Sequence, residues 1–201
     1  MWKNVTMRAE HAPAPIRMLE SMEWVLLVIG LLLIAGVFIY NQLVQSRNRV
    51  DNAWGQIEVQ LKRRYDLIPN LVETVKGYAS HEKETFERVI EARNAAQAAA
   101  NPGDQAQAEN FLTGALRQLF ALAEAYPDLK ASTNFSQLQT ELSDTENKIS
   151  ISRQIYNDTV LTFNNRVQTV PSNIVASLTG FKVREFFDAP DAADEAPRVQ
   201  F

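Results

Sequence analysis

A chain of 201 residues with 46% hydrophobic and 22% charged residues can bury one ordinary core, which predicts a single domain with appendages. The net charge of -4 lacks the basic footprint that neutralises several phosphates, so no nucleic-acid partner is expected. The absence of cysteine excludes disulfides, thiolate zinc sites, iron–sulfur clusters and cysteine nucleophiles.

Residues 1–21, "MWKNVTMRAEHAPAPIRMLES", show no sustained apolar period, and Pro13 and Pro15 interrupt any helix there. They read as a disordered tail, or as an extension ahead of a start at Met22. From Trp24 to Tyr40 the chain carries neither charge nor proline, "WVLLVIGLLLIAGVFIY". As a helix this covers roughly 25 Å of a hydrocarbon core of roughly 30 Å, and Leu43 and Val44 extend it. Trp24 and Tyr40 suit the interfacial aromatic belt. A cleaved leader needs a small-residue site, and "NQLVQSRNRV" offers none. The prediction is a transmembrane anchor over 22–44, with the lipid bilayer as the partner of residues 24–44. Arg47 and Arg49 on its C-terminal flank lean toward a cytoplasmic bulk domain, the more so if translation starts at Met22.

No turn follows the anchor. Leu43, Arg47, Val50, Trp54, Ile57, Leu61, Arg64 and Ile68 alternate spacings of four and three, the seam of a coiled-coil-like or bundle helix. Gly55 in that run allows a close helix approach. Pro69 takes away an N–H bond to the Tyr65 carbonyl, so a kink is predicted, with Asn70 positioned to satisfy freed backbone groups. The apolar rhythm then continues through Leu71, Val75, Ala79, Phe86, Val89 and Ile90, until Asn101, Pro102 and Gly103 end that helix. A second segment from about Gln105 carries Phe111, Leu112, Ala115, Leu119, Leu122 and Ala123, and stops at Pro127.

The third segment opens on Asn134 and Gln137, a capping-box pair, and keeps three-four spacing from Phe135 to Val170. Its seam includes Thr145, Ser152, Thr159 and Arg166, which either set register or line a polar channel. "PSNIVASLTGF" predicts a short helix with Pro171 near its start, Gly180 as its cap, and apolar residues that close the bundle end. The domain boundaries are therefore 1–21, 22–44, a helical bundle over 45–180, and an acidic tail over 181–201. Phe186, Phe187 and Phe201 make that tail too apolar to be wholly solvated, and predict docking on the bundle or on a neighbour.

Two stretches carry a resemblance. "YNQLVQSRNRVDNAWGQIEVQLKRRYDLIPNLVETVKGYASHEKETFERVIEARNAA" resembles the N-terminal signature of the LemA family, and "PSNIVASLTGF" its C-terminal one. The likeness covers nearly everything after Met22 and leaves residues 1–21 outside. It implies a membrane-anchored protein with a long-helix antiparallel bundle, a short external N-terminus and an internal domain. It implies no settled activity. The expected fold is all-α, a single N-terminal transmembrane helix continuing into that bundle, in the bacterial inner (plasma) membrane.

Motifs for chemistry are missing. His81 and Glu82 begin an H-E-x-x-H pattern, but Thr85 replaces the second histidine; the other histidine is His11. Glu82 or Glu84 with Arg88 form ordinary helix pairs. No glycine-rich phosphate loop or G-x-S-x-G elbow occurs. Asp51, Glu58, Asp66 and Glu73 lack a predicted facing partner. No catalytic, cofactor-binding or metal residue is predicted, and no cofactor. The basic triplet Lys62, Arg63 and Arg64 would stand roughly 30 Å beyond Tyr40 on a straight helix, too far for headgroups. Arg63 and Arg64 are expected to pair with acids on neighbouring helices or subunits, Asp66 and Glu58 being the local candidates. The function expected is a non-enzymatic, self-associating membrane scaffold. The alternative is a sensor or adaptor whose bundle binds a ligand or a membrane protease or transporter subunit.

Overall fold

Helix propensity and one apolar stretch make the first element unusually long. In the computed structural model, which describes residues 14–187, α1 runs from Ala14 to Lys76, 63 residues and about 95 Å. Pro15 lies in its first turn, where a missing N–H removes no helical bond. Residues 14–21 of the expected disordered tail are therefore helical; residues 1–13, with His11, lie outside the described residues. Among the described residues one helix is long and apolar enough to cross a membrane, and none of its most apolar window is buried in the protein.

The helix continues through Pro69 and stops at Lys76. The expected continuation to Asn101 is broken by a turn over residues 77–82, after which α2 runs from Lys83 to Ala98. Ala79 shows why periodicity missed the break. It is buried like the other members of the rhythm, but its N–H bonds Val75 O at 2.9 Å and the next bonds are turn bonds, Glu82 N to Ala79 O at 3.1 Å among them. Apolar spacing survives the turn while the helix does not. Gly77 and Ser80 supply the weak helix propensity.

The second reversal follows the sequence closely. α3 (Pro102–Ala123) is capped by Asn101, whose Oδ1 accepts from Asp104 N at 2.8 Å, with Pro102 in the first turn. Pro127 begins a further four-residue helix, α4 (Pro127–Lys130), whose Leu129 is fully buried. α5 (Thr133–Gln168) starts two residues earlier than the Asn134 box requires. Its cap is Ser132, which accepts from Phe135 N at 3.5 Å, while Gln137 bonds Glu141 at 3.1 Å.

α5 packs antiparallel along α1. Arg166 donates to Gln42 O at 3.3 Å, the Trp54 ring packs tilted against Tyr156 at 5.4 Å, and Arg64 lies 2.9 Å from Glu146. Val50, Ile57, Leu61 and Ile68 form the α1 side of the core, and Leu142, Ile149, Tyr156 and Phe163 the α5 side. Each buried aliphatic or aromatic side chain contributes about 1.5–3 kcal/mol. The α2–α3 hairpin covers the end far from the apolar stretch through Phe86, Val89, Leu112 and Leu119. Gly55 is not a close approach, since a Cβ there would meet nothing within 4 Å. Thr145 and Thr159 return their hydroxyls to Glu141 O and Ile155 O, both at 2.7 Å, so these seam positions are satisfied within α5 rather than along a channel.

α6 (Ser172–Thr179) ends on Gly180 at φ 78°, where a glycine avoids left-handed strain, and Phe181 N bonds Ala176 O at 3.0 Å. Residues 181–187 then run extended along α1 and α5. Asn164 Nδ2 donates to Arg184 O at 2.9 Å and its Oδ1 accepts from Arg184 N at 2.8 Å. Asn157 does the same for Phe187, at 2.8 and 2.9 Å. Seven residues of helix and three of extended chain both span about 10 Å, so two side-chain amides serve as the facing strand. Phe187, fully buried, sits 6.1 Å from Trp54 under the guanidinium of Arg153 at 4.5 Å. Docking on the bundle is thus the outcome for Phe187; Phe186 stays exposed, and Phe201 lies outside the described residues.

Candidate functional site

The candidate site is a buried polar clasp where α1, α3 and α5 meet. Arg64 and Tyr65 project from α1 because seam spacing turns both toward the core, with residue exposures of 4% and 6%. On α3 the series Gln105, Glu109, Leu112, Leu116, Leu119 alternates four and three, which places an amide and a carboxylate on the buried stripe. Arg64 Nη1 donates to Glu109 Oε2 at 2.8 Å, and Nη2 to Thr113 Oγ1 at 2.9 Å. Tyr65 Oη donates to Glu109 Oε1, and Gln105 Nε2 donates to Tyr65 Oη at 2.8 Å and to Ala96 O at 3.1 Å. Both Glu109 oxygens and the phenol are engaged.

Glu146 completes the charge count. Its Oε2 lies 2.9 Å from Arg64 Nη1, an ion pair by distance that is off the N–H direction, so the contact is electrostatic rather than a directed hydrogen bond. Half of the Glu146 side chain faces a cleft of about 310 Å³ lined by Thr113, Arg117, Phe120 and Leu142. Burial raises the Glu109 carboxyl above its usual range, opposed by the Arg64 charge and the Tyr65 hydrogen bond. Burial, then the neighbouring Glu109 charge, raises the Tyr65 phenol. With the phenol held protonated and the Glu109 carboxylate fully bonded, Glu146 is the carboxylate of the clasp that faces the cleft, and the arrangement fixes α1 to α3 and α5.

A second polar link depends on Pro69. With no N–H at residue 69, Tyr65 O has no helical partner, and Arg93 Nε from α2 donates to it at 2.8 Å. Arg93 thus satisfies the freed carbonyl, which the sequence had suggested Asn70 would do, and in doing so ties α2 to α1.

Other predicted residues do not converge. Lys62, Arg63 and Asp66 are exposed, and Glu58 accepts from the Trp54 indole at 2.8 Å instead of pairing with the triplet. Arg64 alone follows the expected inter-helix pairing. Asp51 pairs with Arg184 at 2.9 Å and Glu73 with Lys76 at 3.4 Å. His81 is exposed in the turn, and Arg88 bonds Glu84 at 2.9 Å and Gln118 at 2.7 Å. Beyond the clasp, an apolar groove of about 760 Å³ lies between α1 and α2, lined by Pro69, Val72, Phe86 and Ile90 together with the charged Glu73, Lys76, Glu87 and Glu91. Sequence reasoning missed Glu109, Gln105 and Tyr65, although a carboxylate in register with Leu112, Leu116 and Leu119 was the available signal.

The model of the LemA family matches residues 53–201. Protein LemA of Metamycoplasma hominis is 30% identical over 155 residues, covering 75% of this chain and 69% of that protein. Magnetosome protein MamQ 2 of Paramagnetospirillum magneticum is similar at 25% identity over 181 residues, 77% of this chain and 66% of that protein. Magnetosome protein MamQ of Magnetospirillum gryphiswaldense matches with the same identity and coverage. The chain thus spans slightly less than two thirds of the magnetosome relatives.

Proposed function

The chain belongs to the LemA family, and on that premise we propose that it is a non-enzymatic, membrane-anchored helical scaffold that self-associates. The observation that carries this reading is the continuity of α1, which joins an unburied apolar stretch to the far end of the bundle without a loop. A helix so built transmits position rather than allowing the bundle to swing on a linker. The apolar stretch is assigned to the inner membrane as a single span, with the bundle on the cytoplasmic side, as Arg47 and Arg49 favour. Two further features support a scaffold. Arg64, Tyr65, Gln105 and Glu109 spend their hydrogen bonds on one another and on neighbouring helices, and Ile151 and Ile155 stand exposed one turn apart on α5, outside the intramolecular core. Copies held in one membrane meet at high effective concentration, so modest contacts suffice for assembly.

The α1–α2 groove favours a second reading, an adaptor that receives an apolar segment of a membrane partner on the apolar surface of Pro69, Val72, Phe86 and Ile90. Co-purification from native membranes separates the two. Self-copies alone support the scaffold; a stoichiometric second protein supports the adaptor; and strict monomers with no partner contradict both.

A further inference from the structure

The α6 elbow was expected to close the bundle end, yet Ala176 is its one buried residue among Ser172–Thr179. Val170 is 77% exposed, Ile174 58% and Leu178 82%. In water this is a poor use of an apolar segment. Its position along α1 explains it. At Arg166 the chain is level with Gln42, and the residues that follow pass beyond that level: Val175, Leu178 and Thr179 share a cleft with Leu32, Leu33, Gly36, Val37 and Tyr40. Ten residues of α1 separate Leu32 from Gln42, so the elbow descends about 15 Å alongside the apolar stretch. Phe181 then packs on Tyr40 at 5.9 Å, and Arg184 reaches Asp51, so the chain returns to the side it left.

Composition matches this path. Residues 167–181 contain no Asp, Glu, Lys or Arg, and Arg166 and Lys182 bracket them. Arg47 lies over Phe181 at 5.5 Å, so cations and the Tyr40–Phe181 pair gather at one level, as at a headgroup boundary. The polar groups inside are largely satisfied by the chain itself, as hydrocarbon requires. Thr169 Oγ1 donates to Asn165 O at 2.7 Å, Ser172 Oγ to Thr169 O at 3.0 Å and Thr179 Oγ1 to Val175 O at 2.6 Å. Asn173 Oδ1 is buried without a partner. Eight helical residues cover about 12 Å, too short for a second span.

We infer that residues 170–180 form a re-entrant insertion in the bundle-side leaflet, their exposed aliphatic side chains covered by phospholipid acyl chains beside Leu32 to Tyr40. This rests on the reading of residues 22–44 as a membrane span. With two points in the leaflet, the anchor and the elbow, the bundle holds a fixed tilt and rotation. The native sequence has no cysteine, so single-cysteine variants of the full chain carry a unique label. Leu33→Cys, Leu178→Cys and Val59→Cys would each be labelled with an environment-sensitive fluorophore and reconstituted in phosphatidylglycerol–phosphatidylethanolamine vesicles. All three side chains are exposed, so labelling leaves the packing intact. The expected result is quenching of the Leu178 and Leu33 labels by nitroxide lipids, with several-fold weaker iodide quenching than at Val59. A water-exposed Leu178 label beside a lipid-quenched Leu33 label would overturn the insertion and leave the anchor standing. Water exposure at both positions would overturn the anchor and the insertion with it.

Discussion

The link between Pro69 and Arg93 makes a prediction whose sign does not depend on either substitution alone. Arg93→Ala removes the Nε donor that meets Tyr65 O at 2.8 Å. The carbonyl then lacks both its helical partner and its substitute, a loss of about 1–2 kcal/mol for a partly buried acceptor. In a Pro69→Ala background the new N–H closes the normal helical bond to the same carbonyl. There, Arg93→Ala forfeits only the packing of the alkyl stem and the Asn94 contact, and costs about 1 kcal/mol less than in the parent. Urea titrations of the full chain in mild detergent, followed by circular dichroism, give the four stabilities of the cycle. Stem packing and the Asn94 contact are lost in both backgrounds and cancel. Equal costs in the two backgrounds, to within about 0.3 kcal/mol, would refute the reasoning.

Arg64→Met removes the charge that opposes the upward shift of Glu109, whose folded-state pKa already lies above the ordinary 4.5. A raised folded pKa contributes stability that is full below the unfolded value and lost as pH rises through the folded one. The variant should therefore unfold near parent values at about pH 4.5, and lose about 3–5 kcal/mol at about pH 8; a pH-independent loss contradicts the clasp. Phe187→Ala should destabilise by about 3–5 kcal/mol in thermal unfolding, against less than about 0.5 kcal/mol for exposed Phe186→Ala. Gly180→Ala, at φ 78° with open space around it, should cost about 1 kcal/mol from backbone strain alone, with no clash to relieve.

Much of this fold was legible. The long apolar helix, the α1 seam, the chain reversal at Asn101–Pro102, the length of α5 and the Gly180 cap follow from periods and caps that act locally; α3 itself begins at Pro102, three residues ahead of the expected Gln105. The break at residues 77–82 was hidden because Ala79 keeps its place in the apolar rhythm through a turn bond. Arg64 announced its role by sitting between Leu61 and Ile68. Its partner Glu109 is 45 residues away, and only the hairpin brings the two together. The segment 181–187 was half visible: Phe187 marked it as apolar, but the matched spacing of Asn157 and Asn164 has meaning only once α5 lies beside it. The exposed elbow read as packing because period cannot tell protein from lipid as the apolar neighbour.

The central claim, a self-associating scaffold in the membrane, is tested most directly by disulfide cross-linking of Ile155→Cys in native membranes at ordinary expression, read by the size of the product. A cross-linked dimer formed rapidly and without added partner is the predicted result. A second single-cysteine chain, Ile151→Cys, guards against an unfavourable angle at the first. Persistent monomers at both positions, together with monomeric sizing in mild detergent, would contradict it.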